Sequence, residues 1–157
     1  MSERTDIALL HELVLKHSSA RSDAPALVDG RDRYDYAALA KVVTGFANGL
    51  VGLGLQRGER VAIYLEKRFE MVAAAFGAPA AGGVFVPVNP LLKVEQVGHI
   101  LRDCNVRVLV TSPERFELLQ TELLRCPDLR AVVLTADART DPQLRGVSLL
   151  RWSEVLQ

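Results

Sequence analysis

Histidine is the side chain best suited to acid–base or metal chemistry near neutral pH, and this chain has three of them. His11 and Glu12 begin like the HExxH motif of zinc proteases, but Leu15 occupies the position of the second histidine. His17 lies off the helical spacing that would bring its ring and that of His11 to one ion. His99 falls inside a predicted helix with no convergent partner, which favours a surface or packing role. The histidines therefore predict neither a metal site nor a general base.

Glycines at positions 49, 52, 54 and 58 raise the possibility of a nucleotide-binding loop. A dinucleotide fingerprint places its glycines after a strand and before a helix, where amide groups can face the phosphates. These glycines instead follow a predicted helix and precede a strand, which indicates a helix end and a turn. The sequence also contains no GxxxxGK followed by Ser or Thr, which excludes a Walker-type phosphate loop.

Two further groups of polar residues lie near predicted strand ends. Glu66, Lys67, Arg68 and Glu70 follow the strand at residues 60–65, where open α/β sheets place ligand sites. Charged residues also mark an ordinary solvated turn, and that structural interpretation is the one we favour. Ser112 lacks the GxSxG setting of a nucleophile, and a helix-capping role accounts for it. The residues by themselves predict no catalytic, cofactor-binding or metal-binding side chain.

Charge and cysteine content narrow the possible partners and compartment. Nineteen basic and nineteen acidic residues cancel, so no overall field would recruit nucleic acid or acidic lipid. Cys104 and Cys126 have no CxxC spacing and follow no secretory signal, which predicts reduced thiols and a cytoplasmic protein. The sequence contains no uninterrupted run of about eighteen apolar residues, so it predicts no membrane span.

Apolar spacing predicts the elements that must position these side chains. Asp29 and Gly30 suit the turn of a short hairpin, and Asp35 can cap the helix that follows it. Ser112 and Pro113 provide a cap and a first helical residue for a later helix. An opening amphipathic helix is predicted from the stripe Ile7, Leu10, Val14 and His17, widened by Leu9 and Leu13.

Strands and helices alternate from residue 60 onward, which is typical of a parallel sheet with helical crossovers. Strands are predicted at residues 60–65, 84–88, 106–110 and 131–134. The predicted fold class is α/β, an open and mostly parallel sheet with helices on both faces. Residues 135–147 are predicted as a polar loop, and 148–157 as the truncated start of an element with nothing to pack against. The whole chain, 1–157, is thus predicted as one partial subdomain, with Phe69, Val72, Phe76 and residues 84–88 in its core.

The run at residues 80–92 joins a helix, a short strand and an Asn-Pro turn without carrying a reactive group. Gly82 and Gly83 are predicted to let the backbone leave the helix through conformations closed to other residues. Pro87 and Pro90 then hold the chain extended. This stretch predicts a structural joint around a buried strand.

Three groups of residues follow one another along the chain: Tyr34, Tyr36 and Leu39, then Leu53-Gly54 and Gly58-Glu59-Arg60-Val61, and then Ala81-Gly82-Gly83 and Pro87-Val88-Asn89-Pro90. In these groups the chain resembles the N-terminal part of the AMP-forming acyl-CoA ligases, which belong to the adenylate-forming enzymes, over about half its length. Residues 65–104 are especially similar to the acyl-CoA ligases found beside exosortase A systems in bacteria. Asp35 departs from the family, which commonly has a hydroxyl residue there, but it can still cap the helix.

The resemblance implies an enzyme that joins a carboxylic or fatty acid to ATP as an acyl-adenylate and passes the acyl group to coenzyme A. The family's working motifs are a Ser/Thr/Gly-rich loop near a lysine, a Thr-Glu pair for magnesium, an aspartate for the ribose and a lysine on a mobile domain. None has a counterpart in these residues. ATP, Mg²⁺ and coenzyme A are therefore implied for the full-length enzyme, and we expect none of them to bind this chain tightly. No catalytic residue carries over.

Two other interpretations stay open. The chain could be a complete, non-catalytic binding or assembly domain derived from the same fold. It could also be an independent nucleotide-binding α/β protein, although it contains no phosphate loop. Under the preferred interpretation, apolar surface and open sheet edges predict self-association of the isolated chain.

Overall fold

The computed structural model describes residues 8–137 and 144–156. A helix and a hairpin of two strands precede a long helix. Three strand–helix pairs follow, and two further strands and a short helix complete the described residues. The elements are α1 (Glu12–Ala20), β1 (Pro25–Asp29), β2 (Asp32–Asp35), α2 (Tyr36–Gly52), β3 (Arg60–Tyr64), α3 (Phe69–Ala80), β4 (Val84–Pro87), α4 (Val94–Asp103), β5 (Val106–Thr111), α5 (Pro113–Leu123), β6 (Ala131–Leu134), β7 (Ser148–Arg151) and α6 (Trp152–Val155).

Five strands form the main sheet in the order β4-β3-β5-β6-β7, and every neighbouring pair is parallel. The predicted α/β class is confirmed. Strands β1 and β2 form a separate antiparallel hairpin in which Asp29 is paired with Asp32. Gly30 adopts a φ of 61° inside that turn, a left-handed conformation that glycine adopts at little cost. The hairpin predicted around Asp29 and Gly30 is therefore confirmed.

Helices cover both faces of the main sheet because its strands are apolar on both sides. Val61 and Ile63 of β3 point into a core shared with α2, α3 and α6. Ala62 and Tyr64 of the same strand point into a second core shared with α4 and α5. A smaller cluster around Val14 joins α1 to α2 and α3.

Both predicted helix caps are present. The Asp35 carboxylate accepts a hydrogen bond from the amide of Ala38 at 2.7 Å, at the start of α2. The Ser112 hydroxyl accepts one from the amide of Arg115 at 3.4 Å, and Pro113 is the first residue of α5. These bonds satisfy amide groups that the first helical turn leaves without partners.

The opening helix is shorter than its sequence pattern predicts. Ile7 lies outside the described residues, and α1 begins at Glu12, so Leu9 and Leu10 precede it. Val14 is buried, but the predicted stripe is wrong at Leu9, Leu10 and Leu13, which are 57%, 39% and 40% exposed. Helix α1 packs mainly on α2, and one helix can cover only a narrow stripe of α1.

The C-terminal segment is packed, and the expectation that it lacks a partner is wrong. Strand β7 adds to the sheet beside β6, and the amide of Ser148 donates to the carbonyl of Arg130 at 2.8 Å. Trp152 of α6 stacks on Phe46 of α2 with ring centroids 4.7 Å apart. In the predicted loop at 135–147, the described residues 135–137 and 144–147 contain no helix or strand.

The strand predicted as buried within residues 80–92 lies at the edge of the sheet. Within the described residues, strand β4 pairs only with β3, so Val84 and Pro87 are exposed, while Val88 is buried. The predicted core residues Phe69, Val72 and Phe76 are half-buried and pack around α1 and α2. An edge strand has a neighbour on one side only, which leaves part of its side chains uncovered.

The two glycines of this run act differently from one another. Gly82 has a φ of 83° and confirms the prediction of a left-handed helix end. Gly83 has no left-handed backbone, so that prediction is wrong for it. A side chain there would lie 2.9 Å from Leu55 Cδ2 and 3.2 Å from the Glu59 carbonyl oxygen, so close packing requires glycine at position 83.

Arginines pair with two acidic groups, Glu122 of α5 and Glu59 just before β3. Glu122 is buried and accepts from Arg102 at 2.7 Å, and this hydrogen bond lowers the pKa of Glu122. The amide of Gln56 donates to Glu59 at 2.9 Å and lowers the pKa of that carboxyl, with a further contribution from Arg107. Both carboxylates are therefore charged in the folded chain well into acidic pH.

These lowered pKa values predict loss of stability in acid. A carboxyl whose pKa is lowered by folding stabilises the chain above its ordinary pKa of 4.5, and that contribution disappears as the pH falls through the folded-state pKa. We expect the free energy of unfolding in urea to decline as the pH falls below 4.5, the ordinary pKa of these carboxyls. Glu122→Gln should make this decline shallower, whereas Glu95→Gln, at an exposed position of α4, should not. If the free energy of unfolding of Glu122→Gln depended on pH as the wild type does, the lowered pKa of Glu122 would be contradicted.

Two further findings concern the cysteines and the character of the helices. Cys104 is half-buried and Cys126 is buried, both are free thiols, and burial raises the pKa of Cys126. Among the helices of residues 8–137 and 144–156, none has the length and apolar character to cross a bilayer.

Candidate functional site

The order of the strands creates a crevice between β3 and β5. From β3 the chain passes through α3 to β4 on one side, and then through α4 to β5 on the other side of β3. Helix α3, which follows β3, packs in one core, and α5, which follows β5, packs in the other, so the loops after β3 and β5 diverge. Ligands of open α/β sheets bind at such a switch point, outside the carboxyl ends of the strands.

A cavity of about 480 Å³ lies at this switch point. Its volume falls within the range of small-molecule sites. The side chains come from the loop after β3 and from the first turns of α5. They are Leu65, Glu66, Arg68, Ser112, Glu114, Arg115 and Leu118.

Arg115 is held on three sides. Its guanidinium carbon lies 4.6 Å from the centroid of the Tyr64 ring. Nη1 donates to the carbonyl oxygen of Pro90 at 2.9 Å, and Nη2 donates to Oε1 of Glu66 at 2.9 Å. The Arg115 side chain is 17% exposed, whereas that of Glu66 is 76% exposed. The guanidinium is thus anchored by the fold, and its carboxylate partner reaches it from solvent.

Arg68 faces the same cavity but is engaged by its own helix. Nε and Nη2 donate to the two carboxylate oxygens of Glu70 at 2.7 and 2.8 Å, and Nη1 lies 3.4 Å from the hydroxyl of Thr135. The hydrogen bonds to Glu70 raise the pKa of Arg68. This bidentate pair neutralises Arg68, whereas Arg115 has one hydrogen bond to a carboxylate, that of the exposed Glu66.

The polar residues found from the sequence are divided among several places. Glu66 and Arg68 line the cavity, and Glu70 holds Arg68. Lys67 lines a separate apolar groove of about 350 Å³ beside α3 and β4. Ser112 lines the cavity while it caps α5.

The histidines lie elsewhere: His17 stacks on Tyr36 with centroids 5.2 Å apart, and His99 is exposed on α4. Of the glycines, Gly54 and Gly58 have left-handed φ values of 80° and 78°, and Gly49 is packed under α6. None of these residues lines the cavity.

Arg115 is the residue that sequence analysis missed. It lies in the first turn of α5, and its place beside Glu66 depends on the pairing of β3 with β5. A signal was available in principle, because Arg115 follows one strand as closely as Arg68 follows another. This signal can be used only when β3 and β5 are known to be neighbours in the sheet.

The lining of the cavity does not provide the groups that covalent catalysis needs. Ser112 is the hydroxyl of its lining, and no histidine stands among the described lining residues to activate it. The described part of the chain also contains no cluster of three His, Cys, Asp or Glu residues that could hold a metal ion.

Comparison with known proteins identifies the family. Residues 15–151 match the family model described as AMP-binding enzyme. The chain belongs to the AMP-binding enzyme family. The predicted resemblance to adenylate-forming enzymes is confirmed at that level.

Similarity to individual AMP-binding proteins covers most of this chain but only part of each relative. The chain is 34% identical over 127 residues to L-proline--[L-prolyl-carrier protein] ligase of Pseudomonas fluorescens, a match that covers 80% of this chain and 25% of that protein. It is 29% identical over 142 residues to syringomycin synthase SyrB1 of Pseudomonas syringae pv. syringae, a match that covers 86% of this chain and 23% of that synthase.

The fold of this chain is shared with a solved ligase. It superposes on the anthranilate CoA ligase AuaEII, determined in complex with anthranoyl-AMP, with a TM-score of 0.82 and 25% identity. The superposition covers 95% of this chain and 28% of that chain. The chain therefore spans about a quarter of the length of the curated relatives described above.

Proposed function

We propose that this chain is the N-terminal portion of an AMP-forming acyl-CoA ligase. In the whole enzyme a carboxylate oxygen of the acid would attack the α-phosphorus of ATP and release pyrophosphate. The coenzyme A sulfur would then attack the acyl-adenylate carbonyl and release AMP. The match of residues 15–151 to the AMP-binding family is the observation that carries this proposal.

Within that enzyme the described residues would act as scaffold. Adenylyl transfer depends mainly on charges positioned around the nucleotide phosphates. Both arginines of the cavity lining are already paired with carboxylates, Arg115 with Glu66 and Arg68 with Glu70, and the sequence has no phosphate loop. We therefore propose that the chain alone does not adenylate an acid and does not bind MgATP tightly.

The finer part of the proposal concerns which acid is activated and which thiol accepts the acyl group. A fatty or other carboxylic acid, coenzyme A, a cytoplasmic location and the subgroup beside exosortase A systems stay predictions of the sequence resemblance. The superposition on a CoA ligase supports coenzyme A as the acceptor. The similarity to a carrier-protein ligase makes a carrier-bound thiol the acceptor to test against it.

A non-catalytic binding or assembly domain is the second candidate, and the packing of the C-terminal segment favours it. Strand β7 and helix α6 complete two cores, so the described residues form a sheet that is covered on both faces. A unit of this kind can fold and bind without the remainder of a ligase.

The decisive experiment compares this chain with a protein extended through the reading frame downstream of it. ATP–pyrophosphate exchange would be measured with octanoate and with L-proline, followed by thioester formation with coenzyme A or a carrier protein. We expect exchange with octanoate and formation of a CoA thioester in the extended protein, and neither in the chain. Micromolar binding of MgATP to the chain by calorimetry would contradict the scaffold role. Loading of a carrier protein but not of coenzyme A would contradict the proposal that coenzyme A is the acceptor.

Self-association of the isolated chain is part of the same proposal. Strands β4 and β7 are the two edges of the main sheet, and Val84 on β4 is 48% exposed. Uncovered strand edges tend to pair with other chains. Light scattering at increasing concentration should show a rising mass, and a constant monomer mass would count against the idea.

A further inference from the structure

We propose that the switch-point cavity binds a small organic carboxylate, with Arg115 as the anchor for its carboxyl group. The inference goes beyond the proposed ligase function and does not depend on it. It rests on the geometry of the Arg115 side chain, on the position of Glu66 and on the lining of the cavity.

The Arg115 guanidinium is already in a binding position. Tyr64 lies under its plane, and the carbonyl oxygen of Pro90 holds Nη1 at 2.9 Å. Tyr64 is fixed in turn, because its hydroxyl donates to the carbonyl oxygen of Leu92 at 3.2 Å. A guanidinium that is held before binding loses little conformational freedom when a ligand arrives.

Glu66 shows which ligand chemistry this position accepts. Its Oε1 atom lies 2.9 Å from Nη2 of Arg115, so a carboxylate already occupies the anchor. The Glu66 side chain is 76% exposed, and an ion pair of this kind contributes at most about 1 kcal/mol. The Glu66 side chain can therefore rotate into solvent, and the carboxylate of a ligand can take its position beside Arg115.

The rest of the lining suits an acid with a short apolar group. Leu65 and Leu118 both line the cavity, and Leu118 is 68% exposed, which leaves apolar surface for a ligand to cover. Glu114 lines the cavity as well, and its charge acts on Arg68. The apolar part of the lining favours a monocarboxylate with a short alkyl chain, such as hexanoate.

The test measures hexanoate and acetate binding to the chain by calorimetry and by the NMR signal of the Arg115 side chain. Glu66→Ala should tighten hexanoate binding, by up to about fivefold, because it removes the competing carboxylate. Arg115→Met should weaken it by about fivefold, and Arg115→Lys should also weaken it because an ammonium has no planar fork. Hexanoate should bind more tightly than acetate, and Leu118→Ser should reduce that difference.

Matched controls separate binding from folding. Arg57→Met removes an exposed arginine outside the cavity and should leave hexanoate affinity unchanged. Thermal unfolding of each variant would show whether it is folded, and Glu66→Ala provides a gain of affinity that misfolding cannot produce. Equal hexanoate affinity in the wild type, Glu66→Ala and Arg115→Lys would overturn the proposal, as would the absence of any binding at about 10 mM hexanoate.

Discussion

Replacing Trp152 by alanine is expected to lower the free energy of unfolding by about 3–5 kcal/mol. The indole is 9% exposed and stacks on the fully buried ring of Phe46, at an interplanar angle of 20°. Truncation removes a large apolar area and leaves a cavity that the surrounding core fills only in part. Since small domains are stable by about 5–15 kcal/mol, this loss would be a large fraction of the total.

Urea denaturation followed by far-UV circular dichroism would measure the effect of Trp152→Ala. Trp152→Phe keeps a ring against Phe46 and should be far less destabilising. Leu124→Ala, at a side chain that is 66% exposed, should change stability by no more than about 0.5 kcal/mol. A loss in Trp152→Ala as small as that in Leu124→Ala would show that the C-terminal segment is not packed as described.

Gly49→Ala is the second substitution with a large expected effect, about 1–3 kcal/mol of lost stability. Gly49 lies on the face of α2 that receives α6. A Cβ atom at this position would overlap the carbonyl oxygen of Val155 and lie 2.5 Å from its Cγ1. Because the first obstacle is backbone, no side-chain rotation relieves it, and α6 must move away from α2.

Gly52→Ala is the matched control for Gly49→Ala. Both glycines belong to α2, but a Cβ at Gly52 would meet nothing within 4 Å. Alanine is the better helix former, so Gly52→Ala should leave stability unchanged or raise it by up to about 1 kcal/mol. The fluorescence of Trp152, the single tryptophan, would report displacement of α6 in Gly49→Ala. Equal stability of the two variants would contradict the close approach of α6.

The fold was largely predictable because its signals are local. Alternating apolar runs and helical stripes indicated the strands and helices of the main sheet, and Asp35 and Ser112 indicated two helix starts that the structure confirms. The errors concern partners that are distant in sequence. Leu13 falls on a predicted apolar stripe but is exposed, and Val84 follows a buried pattern but lies on an edge strand.

The candidate site was predictable only in part. The position of Glu66 and Arg68 after β3 indicated the correct edge of the sheet, where the structure has its cavity. Arg115 was missed because its contact with Glu66 spans 49 positions of the chain. Likewise, Gly49 suggested a helix end in the sequence, whereas its packing role comes from a residue more than a hundred positions later.

The sequence by itself determined the α/β class, the order of its elements and membership of a family, because residue spacing and local motifs carry that information. The tertiary structure alone decided which strand is an edge, where the C-terminal segment packs and which arginine faces the switch-point cavity. These features depend on the order β4-β3-β5-β6-β7, which differs from the order along the chain. The order of the strands arises because apolar faces that are distant in the chain are buried together. The free energy of that burial is not directional, so no short motif encodes the strand order.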